Sequence, residues 1–197
     1  MREISFTDAF KYPFRRPKRL LYVLWMLFPV FGWFALFGYI IRINNEFVEG
    51  KYEGLPQLHF MEDLKLGFWM LLKSIPFSIV YCIPVVLATF YDETAANILS
   101  FVLSFFVLPV LTVNFYRKQT VESLFEFSKL KYVMNNLGDY LFVMIKQYVL
   151  IFIFLILSIV LVGIPAIYFA GTIFAANFYG RVVEKNTAGF CKTDQVL

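Results

Sequence analysis

Five stretches of the chain are apolar for close to the length of a membrane crossing, and this limits the fold more than any other feature: Leu20–Ile41, Phe68–Tyr91, Ala95–Phe115, Tyr140–Val162 and Pro165–Gly180. A helix rises about 1.5 Å per residue, so about 20 residues cover the roughly 30 Å of hydrocarbon in a bilayer. A lone strand at that depth would leave its backbone N–H and C=O groups unpaired, so each run is expected as a helix. Only 16% of residues are charged and mean hydropathy is +0.69, against about 25% charged in an ordinary soluble domain. The expected fold is an all-α integral membrane protein, a bundle of about five hydrophobic helices forming one domain over residues 1–197. The six basic side chains before the first run resemble the start of a signal peptide, but the run is too long and lacks a small-residue cleavage site, so it is read as mature sequence.

Orientation is read from the lysines and arginines, because basic loops stay on the cytoplasmic side. If every run crosses once, these residues divide ten against six, which is hardly a bias. If the first run instead enters and leaves by one face, 16 fall on one side and none on the other, where Asp92 and Glu93 lie. Pro29 and Gly32, near the middle of that run, are residues that break a helix and suit the tip of a re-entrant hairpin. A plain kinked span is the competing reading.

Between the runs, polar stretches carry apolar residues at helical spacing. Val121, Leu124, Phe127, Leu130, Met134 and Leu137 share a stripe, with Glu122, Glu126 and Lys129 elsewhere, and Thr120 is placed to cap the start. This predicts an amphipathic interfacial helix, with shorter ones at Ile4–Phe14 and His59–Phe68. Packed connectors are the alternative.

The search for chemistry returns little. All 14 acidic residues lie outside the five runs, whereas proton relays and cation sites need such groups at depth. His59, the single histidine, has Glu62 and Asp63 nearby, a combination read as a solvated face rather than a metal site. Cys82 and Cys191 have no C-x-x-C spacing. No nucleophile elbow, H-E-x-x-H or Gly-rich phosphate loop is present, so catalytic residues, metals and cofactors are not expected. The excess of basic charge flanks apolar runs instead of forming the exposed face of a nucleic-acid binder. Arg15, Arg16, Lys73 and Lys146 are therefore read as lipid headgroup or anion contacts, the two lysines snorkelling from inside their runs.

The fifth run and its approach carry small residues at Gly163, Ala166, Ala170, Gly171, Ala175 and Gly180. Such stripes let helices approach closely in lipid, so a tight helix contact is expected, with the fourth run or with a second copy of the chain. Pro76, Pro84 and Pro109 are expected to bend the second and third runs.

Several stretches together are more specific than hydrophobicity. SFTDAFKYPFRRPKR, GYIIRINNEFVEGKYEGLPQL, DLKLGF with the later YCIP, and LKYVMNNLGDYL span nearly the whole chain. They resemble an uncharacterised prokaryotic polytopic membrane protein family, domain of unknown function number four thousand and thirteen. The most specific piece is Gly38, Tyr39 and Arg42, then Gly50, then Leu55 and Pro56. Gln57 and Leu58 stand where the family pattern leads one to expect an acidic and aromatic pair. The resemblance implies a multi-pass topology in a prokaryotic cell membrane, and no activity. The sequence thus favours a non-enzymatic scaffold or subunit, its basic side cytoplasmic and facing lipid headgroups, itself or another membrane protein. The alternative is a transporter or pore for an apolar or lipid-like molecule, walled by the proline-bent second and third runs.

Overall fold

The computed structural model describes residues 3–184, all helix, turn and connector, with no strand among them. Cys191 and the basic residues Arg2, Lys185 and Lys192 lie outside the described residues. In chain order the helices are α1 (Phe6–Lys11), α2 (Pro17–Leu20), α3 (Phe31–Val48), α4 (Phe60–Thr89), α5 (Glu93–Lys118), α6 (Leu130–Asn135), α7 (Leu137–Leu157), α8 (Gly163–Ala170) and α9 (Ile173–Phe178). Three of these segments are long and apolar enough to cross a membrane: α4, α5, and α7 with its 3₁₀ extension to Val160. Little of their apolar surface is buried within the chain, only 11% of the most apolar window of α4 and 28% of those of the other two. Unburied apolar surface on this scale supports membrane association.

The second, third and fourth apolar runs thus form long helices, while the first and fifth are interrupted. The first begins as α2, continues as a 3₁₀ stretch over Leu21–Leu27, breaks at Phe28–Val30 and resumes as α3. Pro29 sits in the break, and Val30 takes a φ of +67°, which a β-branched residue rarely adopts. The fifth run divides into α8 and α9 at Gly171 and Thr172. The expected amphipathic helix over 121–137 is likewise divided, into 3₁₀ turns at Glu122–Phe125 and Phe127–Lys129 followed by α6. Thr120 does not cap it through its side chain; its carbonyl instead accepts from the Ser123 hydroxyl. Leu124 is buried there, while Phe127 and Met134 are exposed, so the stripe is shared between two faces.

Proline explains one local departure. Pro109 in α5 has no N–H to donate to the carbonyl four residues earlier, and the helix widens to a π turn over Leu103–Val107. That carbonyl, on Phe105, accepts instead from the Tyr140 hydroxyl of α7. The packing centre is aromatic. Tyr12, Tyr39, Phe47, Tyr140, Phe154 and Phe169 are almost completely buried, and Tyr39 meets Phe169 edge to face at 5.3 Å.

Candidate functional site

The polar chemistry of the chain converges on the connector between α3 and α4. Helix α3 ends in a Schellman turn: Lys51 N–H donates to the Glu46 carbonyl at 2.8 Å and Gly50 N–H to that of Phe47 at 3.2 Å. Gly50 supplies the required positive φ of +81°. The following residues form no regular element, so their carbonyls need partners from elsewhere. Side chains supply them. Arg15 donates to the Tyr52 carbonyl, Arg16 and Arg19 to that of Leu55, the buried Tyr39 hydroxyl to that of Pro56 at 2.8 Å, and Arg42 to that of Gln57.

Arg42 is the centre of this junction. Its Nη2 donates to Asp63 Oδ2 at 2.9 Å and its Nε lies 2.8 Å from Oδ1. The Asp63 side chain is 1% exposed and that of Arg42 27%. Asp63 Oδ2 also accepts from the His59 backbone N–H at 2.9 Å, closing the first turn of α4. Arg42 Nη1 lies 3.3 Å from His59 Nδ1, which is itself 3.1 Å from Glu62. One guanidinium thereby ties α3, the connector and the start of α4. His59 and its two acids are therefore not equivalent: Glu62 faces solvent while Asp63 is an internal counter-ion. Among the described residues no group of three His, Cys, Asp or Glu side chains could hold a metal ion.

A second polar layer continues from the same end of α3. Arg117, near the end of α5, pairs with Glu49 at 2.8 Å and with Glu184 at 3.0 Å. Glu49 also accepts from Lys51, and these two contacts, the Lys51 one larger, hold its carboxyl below the usual glutamate range. Buried Asn114 donates to the Ser123 carbonyl at 2.6 Å and accepts from the Tyr179 hydroxyl at 2.5 Å. Asn177 accepts from the Ile4 N–H at 3.3 Å and donates to the Tyr52 hydroxyl, so the N-terminal segment is held to α9 and to the connector.

The four basic residues read from the sequence as headgroup or anion contacts all have partners within the chain. Arg15 pairs with Asp8 besides its carbonyl contact, and Arg16 lies 3.8 Å from Glu53. Lys73 donates to the Gln119 carbonyl at 2.8 Å. Lys146 pairs with Glu3 and lies 4.0 Å from the centre of the Phe142 ring. The residues of the small stripe are buried or in close backbone contact: Ala166, Ala170 and Ala175 in the core, Gly163 against the end of α7, and Gly180 against the Val48 backbone of α3. Gly171 lies nearest the Ile167 carbonyl.

Reading only charged groups within the runs overlooked the amides. Gln147 of α7 is buried and spans the break between α8 and α9: its Nε2 donates to the Ala170 carbonyl and its Oε1 accepts from the Phe174 N–H, both at 3.0 Å. Amides inside apolar runs, among them Gln147, Asn114 and Asn177, were the available signal.

The connector, the Arg42–Asp63 pair and the three long helices all fall within one matched segment. No curated protein and no solved structure matches the chain. Residues 21–163 match the family described as Protein of unknown function (DUF4013), and by that match over most of its length the chain belongs to this family.

Proposed function

We propose that the chain is a non-enzymatic, multi-pass protein of a prokaryotic cell membrane that serves as a scaffold or subunit of a membrane assembly. Its basic segments face the cytoplasmic headgroups or a partner, which is a second copy or another membrane protein. The observation that carries the reading is the one-sided charge: with the first run re-entrant, 16 of 18 lysines and arginines share one side. The helix break at Phe28–Val30 supports a hairpin tip there, and the lashed connector supports a rigid polar platform on the same side. The second to fifth runs then cross, the fifth in two pieces.

Accessibility mapping in intact cells tests this. Single cysteines replace Lys18, Lys51, Asp92 and Lys129 in a chain whose Cys82 and Cys191 are serine. Labelling from outside at position 92 alone is expected. Labelling of 51 and 129 from the side opposite 18 would make the first run a full crossing and remove the argument from charge.

A second reading, passage of an apolar or lipid-like molecule, is favoured by one observation. A cavity of about 290 Å³ lies between α4 and α5, lined by Phe37, Ser74, Phe77, Tyr81, Thr112 and Tyr116. It adjoins the helix that carries Lys73 and the two prolines Pro76 and Pro84. Vesicle flux of a fluorescent lipid that falls when Lys73 and Lys146 are both replaced by glutamine would favour transport over scaffolding.

A further inference from the structure

A small polar pocket of about 130 Å³ lies where the N-terminal segment meets the connector, lined by Arg16, Glu46, Lys51, Glu53, Gly54 and Pro56. Arg16 precedes the first apolar run and the other five follow it, so the re-entrant reading sets all six on one side of the membrane. Gly54 lets the connector close on the N-terminal segment. Its φ is +131°, and a Cβ there would stand 3.2 Å from Arg15 Cβ and 3.5 Å from Arg16 Cγ.

The pocket holds two cations and two carboxylates whose bonding capacity is only partly used. Arg16 Nη1 donates to the Leu55 carbonyl at 3.2 Å, but its Nη2 lies 3.8 Å from Glu53, beyond hydrogen-bond distance. Lys51 gives one ammonium donor to Glu49 and keeps others open. Glu46 is half-buried and makes no hydrogen bond or ion pair among the described residues. Burial raises its carboxyl above the usual glutamate range, against the pull of Arg42, Lys51 and Arg16. The Tyr12 hydroxyl, fully buried and within electrostatic reach of Glu46 and Arg16, also lacks a hydrogen-bond partner. A bound anion alone would face two carboxylates, and a bound cation alone a guanidinium and an ammonium. A ligand carrying both charges meets each with its opposite. Two cations from separate segments suit the several oxygens of a phosphate, and a half-buried carboxylate suits a primary ammonium.

We propose that this pocket binds an aminoethyl phosphate zwitterion, its phosphate on Arg16 and Lys51 and its ammonium on Glu46. The proposal rests on the headgroup-facing reading above and names the head group, since the same chemistry is carried by phosphatidylethanolamine and by free phosphoethanolamine. The volume, about four waters' share of liquid, suits the two charged groups on a short spacer. Bound there, the zwitterion ties the N-terminal segment to the connector through charges that the chain itself leaves open.

The test uses the full chain in neutral detergent, offered equal amounts of phosphatidylethanolamine, phosphatidylcholine and phosphatidylglycerol with matched tails, with retained lipid counted by native mass spectrometry. Phosphatidylcholine caps the ammonium with methyl groups and phosphatidylglycerol has none, so preferential retention of phosphatidylethanolamine is expected. Glu46→Gln should lower its preference over phosphatidylglycerol about fivefold, the worth of one ion pair at the stronger end of partly exposed ones. Lys51→Gln should lower retention of both. A second arm titrates the lipid-free chain with soluble phosphoethanolamine by calorimetry. Saturation there without a preference among lipids assigns the free molecule, and a lipid preference assigns the head group; either supports the site. Equal retention of the three lipids with no calorimetric binding, or a preference that Glu46→Gln leaves unchanged, would overturn the proposal. Retention in detergent does not depend on orientation, so a failed pocket and a failed topology give different results.

Discussion

Gly67 of α4 lies against the α3 backbone so closely that a Cβ added to it would stand 2.8 Å from Gly38 N and 1.9 Å from the Phe34 carbonyl oxygen. Gly38 in turn faces the Asp63 carbonyl, which its own Cβ would meet at 1.9 Å. The obstacles are main-chain atoms, so a substituted helix must move apart. Gly38→Ala and Gly67→Ala should each destabilise the protein by about 1–3 kcal/mol, the usual cost of overpacking. Gly138→Ala, where nothing lies within 4 Å of the added carbon, is the matched control and should be neutral or mildly stabilising. Thermal unfolding in detergent micelles separates the three.

The same crossing places Arg42 on Asp63. Asp63→Ala leaves a part-buried guanidinium without its counter-ion and the His59 N–H without an acceptor, a loss of about 3–5 kcal/mol. Arg42→Lys keeps the charge but cannot make both contacts, so it should recover only part of the stability. A double-mutant cycle with Arg42→Ala and Asp63→Ala should show coupling of more than about 1 kcal/mol. Additive losses would mean that the two residues do not act as a pair.

Gln147→Leu is nearly isosteric but removes both hydrogen bonds across the α8–α9 break. The Ala170 carbonyl and the Phe174 N–H are then buried unpaired, at about 1–3 kcal/mol each. Amide exchange at Phe174 should accelerate while exchange in α4 stays as it was. Unchanged protection at Phe174 would show that the amide does not hold the break.

Glu49 makes one feature of stability dependent on pH. Its folded pKa is depressed by Lys51 and then Arg117, so the stability it contributes is present above the unfolded value of about 4.3 and lost as pH falls through the lower folded value. Glu49→Gln should cost less than about 1 kcal/mol at neutral pH, since the pair is partly exposed. The melting temperatures of the two proteins should converge on acidification to below the ordinary glutamate range. A gap that persists there would assign it to packing.

How much of this could be read from residues alone depended on where each interaction partner sat in the chain. The second, third and fourth runs became long helices because twenty or so apolar residues need nothing beyond themselves to satisfy their backbone. The break in the first run was legible at Pro29, which carries its own cause. The break in the fifth run was not, because the amide that stabilises it is Gln147, more than twenty residues earlier. Helix α4 begins at Phe60, ahead of the apolar run, since Asp63 closes its first turn and Arg42 of α3 holds Asp63 in place. The spacing of Gly38, Tyr39, Arg42, Leu55 and Pro56 was visible as a pattern; that it describes a single clasp required the fold. The internal partners of Lys73 and Lys146, the Gln119 carbonyl and Glu3, leave no local signature in the sequence.

The glutamine bridge over the α8–α9 break also sets an order of events during synthesis. Until its two backbone groups find Gln147, the fifth run is a pair of short helical pieces with an open joint, a poor entrant into hydrocarbon on its own. Helix α7 leaves the ribosome first and brings the required amide with it. On the multi-pass reading proposed above, the fifth hydrophobic run would be received by the fourth as a paired hairpin, so a substitution at Gln147 should act on insertion of that run as well as on the finished fold.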